Sequence, residues 1–298
     1  MECPNCKKYI FSFFCRINIF TSRLWRKRKY NMQQSIPKDI TKLLDQLVSI
    51  TKENLKESLV GTYLHGSLAM GCFNPVSSDI DVLIVVKSKL SLEDKRALGA
   101  SFIELVEKYP VNKIELSIVK LDTLSDFRYP TSYELHFSSE NVDDFTNGDF
   151  DLMKSRDDKV LAAHFVITKN RGICLYGESV TEVFPEVEHE YYLKSIAQDF
   201  DWSYNNVMKG PEDGTCRVPT YAVLNTCRVL AFIKDGLVAS KAEGGAWAIE
   251  HLPKEYAPLI AEAVKEYAES GTSNEVDAKL LKRLIVYAEK EISQALAV

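Results

Sequence analysis

Two aspartates two residues apart, Asp79 and Asp81, stand where an apolar run begins (IDVLIVV, residues 80–86). In an extended chain alternate residues share a face, so both carboxylates point the same way. Like charges held that close repel unless a cation lies between them. Mg²⁺ meets that need, because it takes oxygen ligands and keeps positions open for the oxygens of a triphosphate. Upstream, Gly66-Ser67 reads as a turn that offers backbone N–H groups and a hydroxyl to phosphates. A third carboxylate, Glu115, lies in an alternating run (KIELSIV, residues 113–119). With that run paired beside 80–86, Glu115 faces the same site, where it can act as general base toward a hydroxyl. Ile114 and Leu116 then enter the core. An Asp-x-Asp alone is common, and Gly-Ser alone is a generic turn. Gly-Ser, then Ser-Asp-x-Asp eleven residues on at the mouth of an apolar strand, then a lone Glu on a later strand, is specific.

Those residues need a scaffold. Residues 38–59 carry Ile40, Leu43, Leu44, Leu47, Val48, Leu55 and Leu59 at helical spacing, which predicts an opening amphipathic helix. A short strand follows at Thr62–Leu64, then the β-branched strand 80–86, a helix over 92–107 and the strand 113–119. Helix, strand, strand, helix, strand predicts a mixed α/β sheet. The second half changes character. Residues 156–169, 190–208, 219–234, 254–269 and 275–296 each carry helical apolar periods, which predicts an all-α bundle. The fold class expected is thus an α/β N-terminal domain, a mixed sheet with helices, plus an all-α C-terminal bundle. The boundary falls in the stretch Pro185–His189, giving domains 32–187 and 188–298. Residues 210–214 (GPEDG) read as a loop within the helical half.

Hydrophobic residues at 46% and charged residues at 27% of the 298 fit an ordinary soluble protein. The net charge of −5 argues against a nucleic-acid partner, whose binders carry a basic surplus. Seven scattered cysteines do not form a secreted disulfide framework, so a reduced, cytoplasmic chain is expected. Cys3 and Cys6 form half of a zinc signature, with Cys15 as the sole nearby third thiol. Residues 9–20 are apolar but interrupted by Arg16, and are shorter than the roughly 20 residues of a membrane span. Arg23 and Arg26–Lys29 follow, so a basic amphipathic anchor is the alternative to the expectation of no membrane contact. The plainer reading makes Met32 the start and residues 1–31 an extension outside the fold.

The segments YLHGSLAMGCFNPVSSDIDVLIVV (63–86) and IELSIV (114–119) resemble the polymerase-β-type nucleotidyltransferases. RYPTSYELHF (128–137), LNTCRVLAFIKDGLVASK (224–241) and AWAIEHLPKEYAPLIAEAVKEY (246–267) are similar to one family among them. That family is the aminoglycoside (3″)(9) adenylyltransferases, which inactivate streptomycin and spectinomycin. The resemblance covers nearly everything from Met32 onward. It implies that Asp79 and Asp81 ligate Mg²⁺ and that Glu115 is the catalytic base. Gly66, Ser67 and Ser78 would flank the triphosphate of ATP. Arg228 and Lys241 match the family's phosphate-contacting pair, and Tyr267 its nucleotide-side tyrosine. Without the resemblance, Arg228 reads as a surface salt bridge and Lys241 as a solvated charge.

Two departures bear on the substrate. Streptomycin-modifying members carry a Trp just after the segment matching YELHF, where this chain has Glu140. Their substrate-binding aspartates before the Arg-bearing helix fall in GPEDGTCRVPTY (210–221), where Glu212 and Asp213 can stand in. The expected function is Mg²⁺-dependent transfer of AMP from ATP to a hydroxyl of a cationic aminocyclitol, spectinomycin ahead of streptomycin, by a monomer. The alternatives are a nucleotidyltransferase acting on a protein, an RNA or another small hydroxyl compound, and a non-catalytic nucleotide-binding module. Trp202 and Trp247 fall on apolar helical positions and are expected in the core. His65 reads as a strand residue, and nothing near Cys72 would make it a nucleophile.

Overall fold

A computed structural model describes residues 36–298, apart from 77, 110–112, 147–155, 210–217, 270–275 and 298. Of the two units into which the chain divides, Lys38–Val298 carries the fold that follows. The Cys3–Cys6 pair, Cys15, the loop 210–214, and with it Glu212 and Asp213, lie outside the described residues.

Helix α1 (Lys38–Leu55) buries Ile40, Leu43, Leu44, Leu47 and Leu55 along one stripe. It ends before Leu59, where the apolar spacing would have carried it. A 3₁₀ turn, Lys56–Ser58, intervenes with Lys56 at φ 45°, and Leu59 becomes the first residue of β1 (Leu59–His65). Strand β2 (Ile80–Val86) pairs antiparallel with β1 and parallel with β3 (Ile114–Lys120). The parallel pair needs a crossover. Helix α2 (Leu92–Lys108) supplies it, started by a Ser91–Asp94 capping box.

Short strands that the periodicity did not reveal complete the sheets. β4 (Thr131–Tyr133) pairs with β6 (Arg156–Asp158), while β5 (Leu135–Ser138) and β7 (Ile173–Gly177) are the outer strands of the main sheet. The main sheet has the order β5-β3-β2-β1-β7. The helix expected over 156–169 therefore starts later, as α3 (Leu161–Arg171), because Arg156–Asp158 pairs with β4 and Asp158 Oδ1 then accepts from Val160 N at 2.6 Å.

Every residue of β2 is buried except Asp81, which is half-buried. Ile80, Val82, Ile84 and Val86 form one face. Leu83 and Val85 pack on the other against Tyr63, Val119, Leu161 and Phe165. Each such side chain contributes roughly 1.5–3 kcal/mol of burial free energy. The strand is thus fixed on both faces, and its one charge enters at its open end.

The C-terminal part is helical: α4 (His189–Met208), α5 (Pro219–Asp235), α6 (Lys241–His251), α7 (Ala257–Glu269) and α8 (Ala278–Leu296). Helix α5 is central, with Leu224, Cys227, Leu230 and Ala231 fully enclosed. It opens with Pro219 and closes at Gly236, whose φ of 66° ends the helix without strain. Helix α3 belongs to both cores. Leu161 and Phe165 face the sheet, and Ala163 and Ile167 join the helical cluster. Ser195 Oγ on α4 accepts from Ala163 N and donates to Val160 O, each at 3.0 Å. No described helix is long and apolar enough to cross a membrane.

Candidate active site

The register places Asp81 and Glu115 side by side, with Asp79 just before β2. Asp81 lies opposite Glu115 across the parallel pair, and His65 lies opposite Asp81 across the antiparallel one. Alternation then puts His65, Asp81 and Glu115 on a single face, with Ile114 and Leu116 buried on the other. His65 is the buried strand residue expected; its ring packs 4.9 Å from that of His164, and burial holds its pKa well down.

The acids disturb one another. Burial, then Glu115 and Asp79, push the Asp81 carboxyl up to about 8. Asp79 is raised by burial and by Glu115, with Lys113 opposing. Among the described residues no group of three or more His, Cys, Asp or Glu side chains forms a closed metal cage. Mg²⁺ is usually held by one or two carboxylates and completes its shell with water and phosphate oxygens. The donor set fits the ion: it is all-oxygen and doubly acidic, and both aspartates are raised by their acidic neighbours.

Between β1 and β2 the chain turns tightly around Asp81. Gly66 sits at φ 62°, and a Cβ there would overlap Asp81 Oδ2, so only glycine lets the turn close on the carboxylate. Ser67 follows in the helical turn Gly66–Ala69, and its Oγ is buried with no hydrogen-bond partner. A buried hydroxyl left unpaired costs free energy, and a phosphate oxygen would relieve it. Cys72 is partly buried and its thiol is pushed up by that burial, in line with an unreactive side chain.

The loop before Asp79 is fastened to the helical part. Asn74 Oδ1 accepts from Val76 N at 2.9 Å, and Ser78 Oγ accepts from Asn74 N at 3.1 Å. Asn74 Nδ2 donates to Tyr267 O at 2.6 Å, and the Tyr267 hydroxyl lies 3.3 Å from Ser78 Oγ. Ser78 and Tyr267, distant in sequence, therefore meet.

Lys241 is the first residue of α6, whose N-terminus carries a Ser240–Glu243 capping box. Glu243 is in turn gripped by Arg171 through two bonds of 3.0 and 3.2 Å, which ties α6 to α3. Close helix packing brings Lys241 toward Arg228. A Cβ on Gly244 would lie 2.9 Å from the Arg228 backbone N, so the two helices approach there without a side chain between them. Lys241 Nζ lies 4.5 Å from the Tyr221 ring centroid and 5.7 Å from that of Tyr267. Burial and Arg228 lower its pKa, while Asp81, Asp199 and Asp79 oppose them. Neither cation forms a salt bridge among the described residues, and both are half-buried. The surface readings of Arg228 and Lys241 do not hold.

Glu140 is exposed but bonded to Lys113, so its charge is partly matched within the protein. Trp202 is not core: it is 49% exposed, edge-on to Tyr221 at 5.3 Å and 83°. Trp247 is buried, and its Nε1 donates to Asp235 Oδ2 at 2.6 Å. Tyr221 and Asp199, which sequence reasoning did not single out, stand beside Lys241. The signal for Tyr221 is its α5 spacing from Arg228, two turns apart on one stripe, whereas Asp199 on α4 has no such mark in the sequence.

Comparison with known proteins matches two domains along the chain. A nucleotidyltransferase domain matches residues 44–138, and an aminoglycoside adenylyltransferase C-terminal domain matches residues 182–291. An aminoglycoside (3″)(9) adenylyltransferase of Escherichia coli is 26% identical over 271 residues, covering 88% of this chain and 98% of that one. A spectinomycin 9-adenylyltransferase of Staphylococcus aureus is 24% identical over 261 residues, covering 84% and 94%. The fold matches the crystal structure of a spectinomycin adenyltransferase from Enterococcus faecialis with ATP and spectinomycin. The TM-score is 0.68 at 21% identity, over 85% of this chain and 99% of that one.

Proposed function

We propose, from the nucleotidyltransferase domain matched at 44–138, the aminoglycoside adenylyltransferase C-terminal domain matched at 182–291 and the site's geometry, that the chain transfers AMP from ATP, with Mg²⁺, to a hydroxyl of an aminocyclitol antibiotic. The observation that carries this reading is the placing of Asp79 and of Asp81, opposite Glu115, where Lys241 acts on both aspartates and Arg228 on Asp81. Three acids invite a divalent cation. Two unpaired cations invite a polyphosphate. One site holding both fits a metal-bound nucleoside triphosphate.

Asp79 and Asp81 would hold Mg²⁺. When bound, the ion neutralises charge on the phosphate oxygens and polarises the phosphorus. Lys241 and Arg228 grip the triphosphate, with the N-terminus of α6 adding its aligned N–H groups. Ser67 Oγ gains in the phosphate the partner it lacks within the protein. Tyr267 and Ser78 close the nucleotide side. Glu115 orients the substrate hydroxyl and takes its proton as the oxygen attacks the α-phosphorus in line. The new O–P bond forms as the bond to the β-phosphate oxygen breaks, and the electron pair leaves with pyrophosphate. Catalysis is then positioning and electrostatics, with no covalent enzyme intermediate.

The substrate reading is spectinomycin rather than streptomycin. Glu140 offers no aromatic face where streptomycin-modifying members have one, and Lys113 engages its carboxylate. Spectinomycin, compact and cationic, needs less stacking surface. A sensitive bacterium expressing residues 32–298 should grow on spectinomycin and not on streptomycin. Growth on streptomycin overturns the preference, and sensitivity to both with soluble protein present moves the activity to another hydroxyl substrate.

A further inference from the structure

Beside the phosphate-binding cations lies a carboxylate that AMP transfer leaves unused. Asp199, on α4, is half-buried. Its Oδ2 accepts from the Tyr221 hydroxyl across a long 3.5 Å contact. It makes no salt bridge among the described residues, although Lys241 is close enough to feel its charge. The Tyr221 ring explains why. Lys241 sits over the face of that ring at 4.5 Å, while Asp199 holds its hydroxyl end, so the phenol stands between the two charges. Burial and Asp199 keep the Tyr221 phenol protonated and thus a donor. Trp202, three residues on and on the same side of α4, presents its half-exposed indole against Tyr221.

A carboxylate can accept about four hydrogen bonds, and Asp199 is given one weak one. Its nearby positive charge is also borrowed. Once a triphosphate engages Lys241 and Arg228, their charge is matched by phosphate, and Asp199 is left without compensation in a half-buried place. A charge so placed gains most from a second cation brought in by the other substrate. Other acids around the site have partners or other duties: Glu243 pairs with Arg171, Glu140 with Lys113, and Asp79, Asp81 and Glu115 face the metal and the attacking hydroxyl.

We propose that Asp199 is a specificity-determining residue, the carboxylate that receives a protonated amine of the hydroxyl substrate and so orients that substrate beside the bound triphosphate. This rests on the aminocyclitol reading of the site. It adds which residue reads the substrate's charge, and it predicts that Mg·ATP favours binding of the amine.

The test is steady-state kinetics with spectinomycin and an N-acylated spectinomycin, on wild type and Asp199→Asn, with Kd for ATP measured alongside. Removing a charged hydrogen-bond partner should raise KM for spectinomycin about ten- to hundredfold. ATP affinity should hold, and kcat at saturation should change little. Acylating the amine should raise the wild-type KM by a similar factor and add little on top of Asp199→Asn. The substrate-side change keeps the test valid if the variant folds poorly. An unchanged KM in Asp199→Asn, or equal penalties from acylation in both proteins, overturns the inference while the transferase reading stands. A loss confined to ATP affinity also overturns it, since Asp199 would then serve Lys241 alone. If wild type turns over no aminocyclitol, the substrate reading fails and the inference with it.

Discussion

Asp81 carries the sharpest electrostatic conflict in the molecule, and the conflict has a measurable sign. Its carboxyl is raised to about 8 by burial, Glu115 and Asp79, against an ordinary value near 4. Between those values the folded protein binds a proton that the unfolded chain releases, so folding stability falls as pH rises through that window. Without divalent ions, the melting temperature should therefore decline from pH 7 to pH 8, above the range in which buried His65 pulls the other way, and Asp81→Asn should flatten the decline. A wild-type melting temperature that rises or stays level across that window in the presence of chelator contradicts the burial of this acid. The pairing of Asp81 with Glu115 was legible in the sequence because strand alternation and two apolar runs suffice to put them on one face, whereas Asp79 precedes β2 and lies outside its register. Trp202 was misread for the opposite reason. Helical spacing marks an apolar stripe, but does not say whether another element covers it.

At the scale of elements, the meeting of Arg228 and Lys241 depends on how closely α5 and α6 approach. Gly244 sets that distance, since a Cβ there would strike the Arg228 backbone at 2.9 Å. Gly244→Ala should force the helices apart. Overpacking costs about 1–3 kcal/mol, more than the gain of about 1 kcal/mol that alanine brings to a helix interior. The melting temperature should drop, and ATP affinity should weaken as the two cations separate. An unchanged ATP affinity would show that the helix contact does not set the cation pair. This contact was not legible in advance, because a glycine in a helical pattern does not reveal which backbone lies against it. The strand 80–86, the crossover helix and most of the long helices were legible from periodicity alone. β4, β5, β6 and β7 were not. They run three to five residues, β5 and β7 lie outermost in the main sheet, and segments so short leave too few alternations to tell from a loop.

At the scale of the whole molecule, the sheet supplies the acids and the helical part supplies the cations. Helix α3 is packed into both cores and joined to α6 through Arg171 and Glu243, so it sets the spacing between them. The Ser78–Tyr267 and Asn74–Tyr267 contacts fasten the loop before Asp79 to α7. A reaction needing both signs of charge in one place must draw on both parts. The measurement that tests this most directly is the mass of spectinomycin after incubation with the purified chain, ATP and Mg²⁺. The antibiotic should gain one AMP, with pyrophosphate released in equal amount. Glu115→Gln should slow that transfer by roughly 10²–10⁴ while binding Mg·ATP normally, the range expected for a lost general base. Spectinomycin left unmodified by a soluble protein that binds ATP, or a Glu115→Gln variant as fast as wild type, would contradict the account.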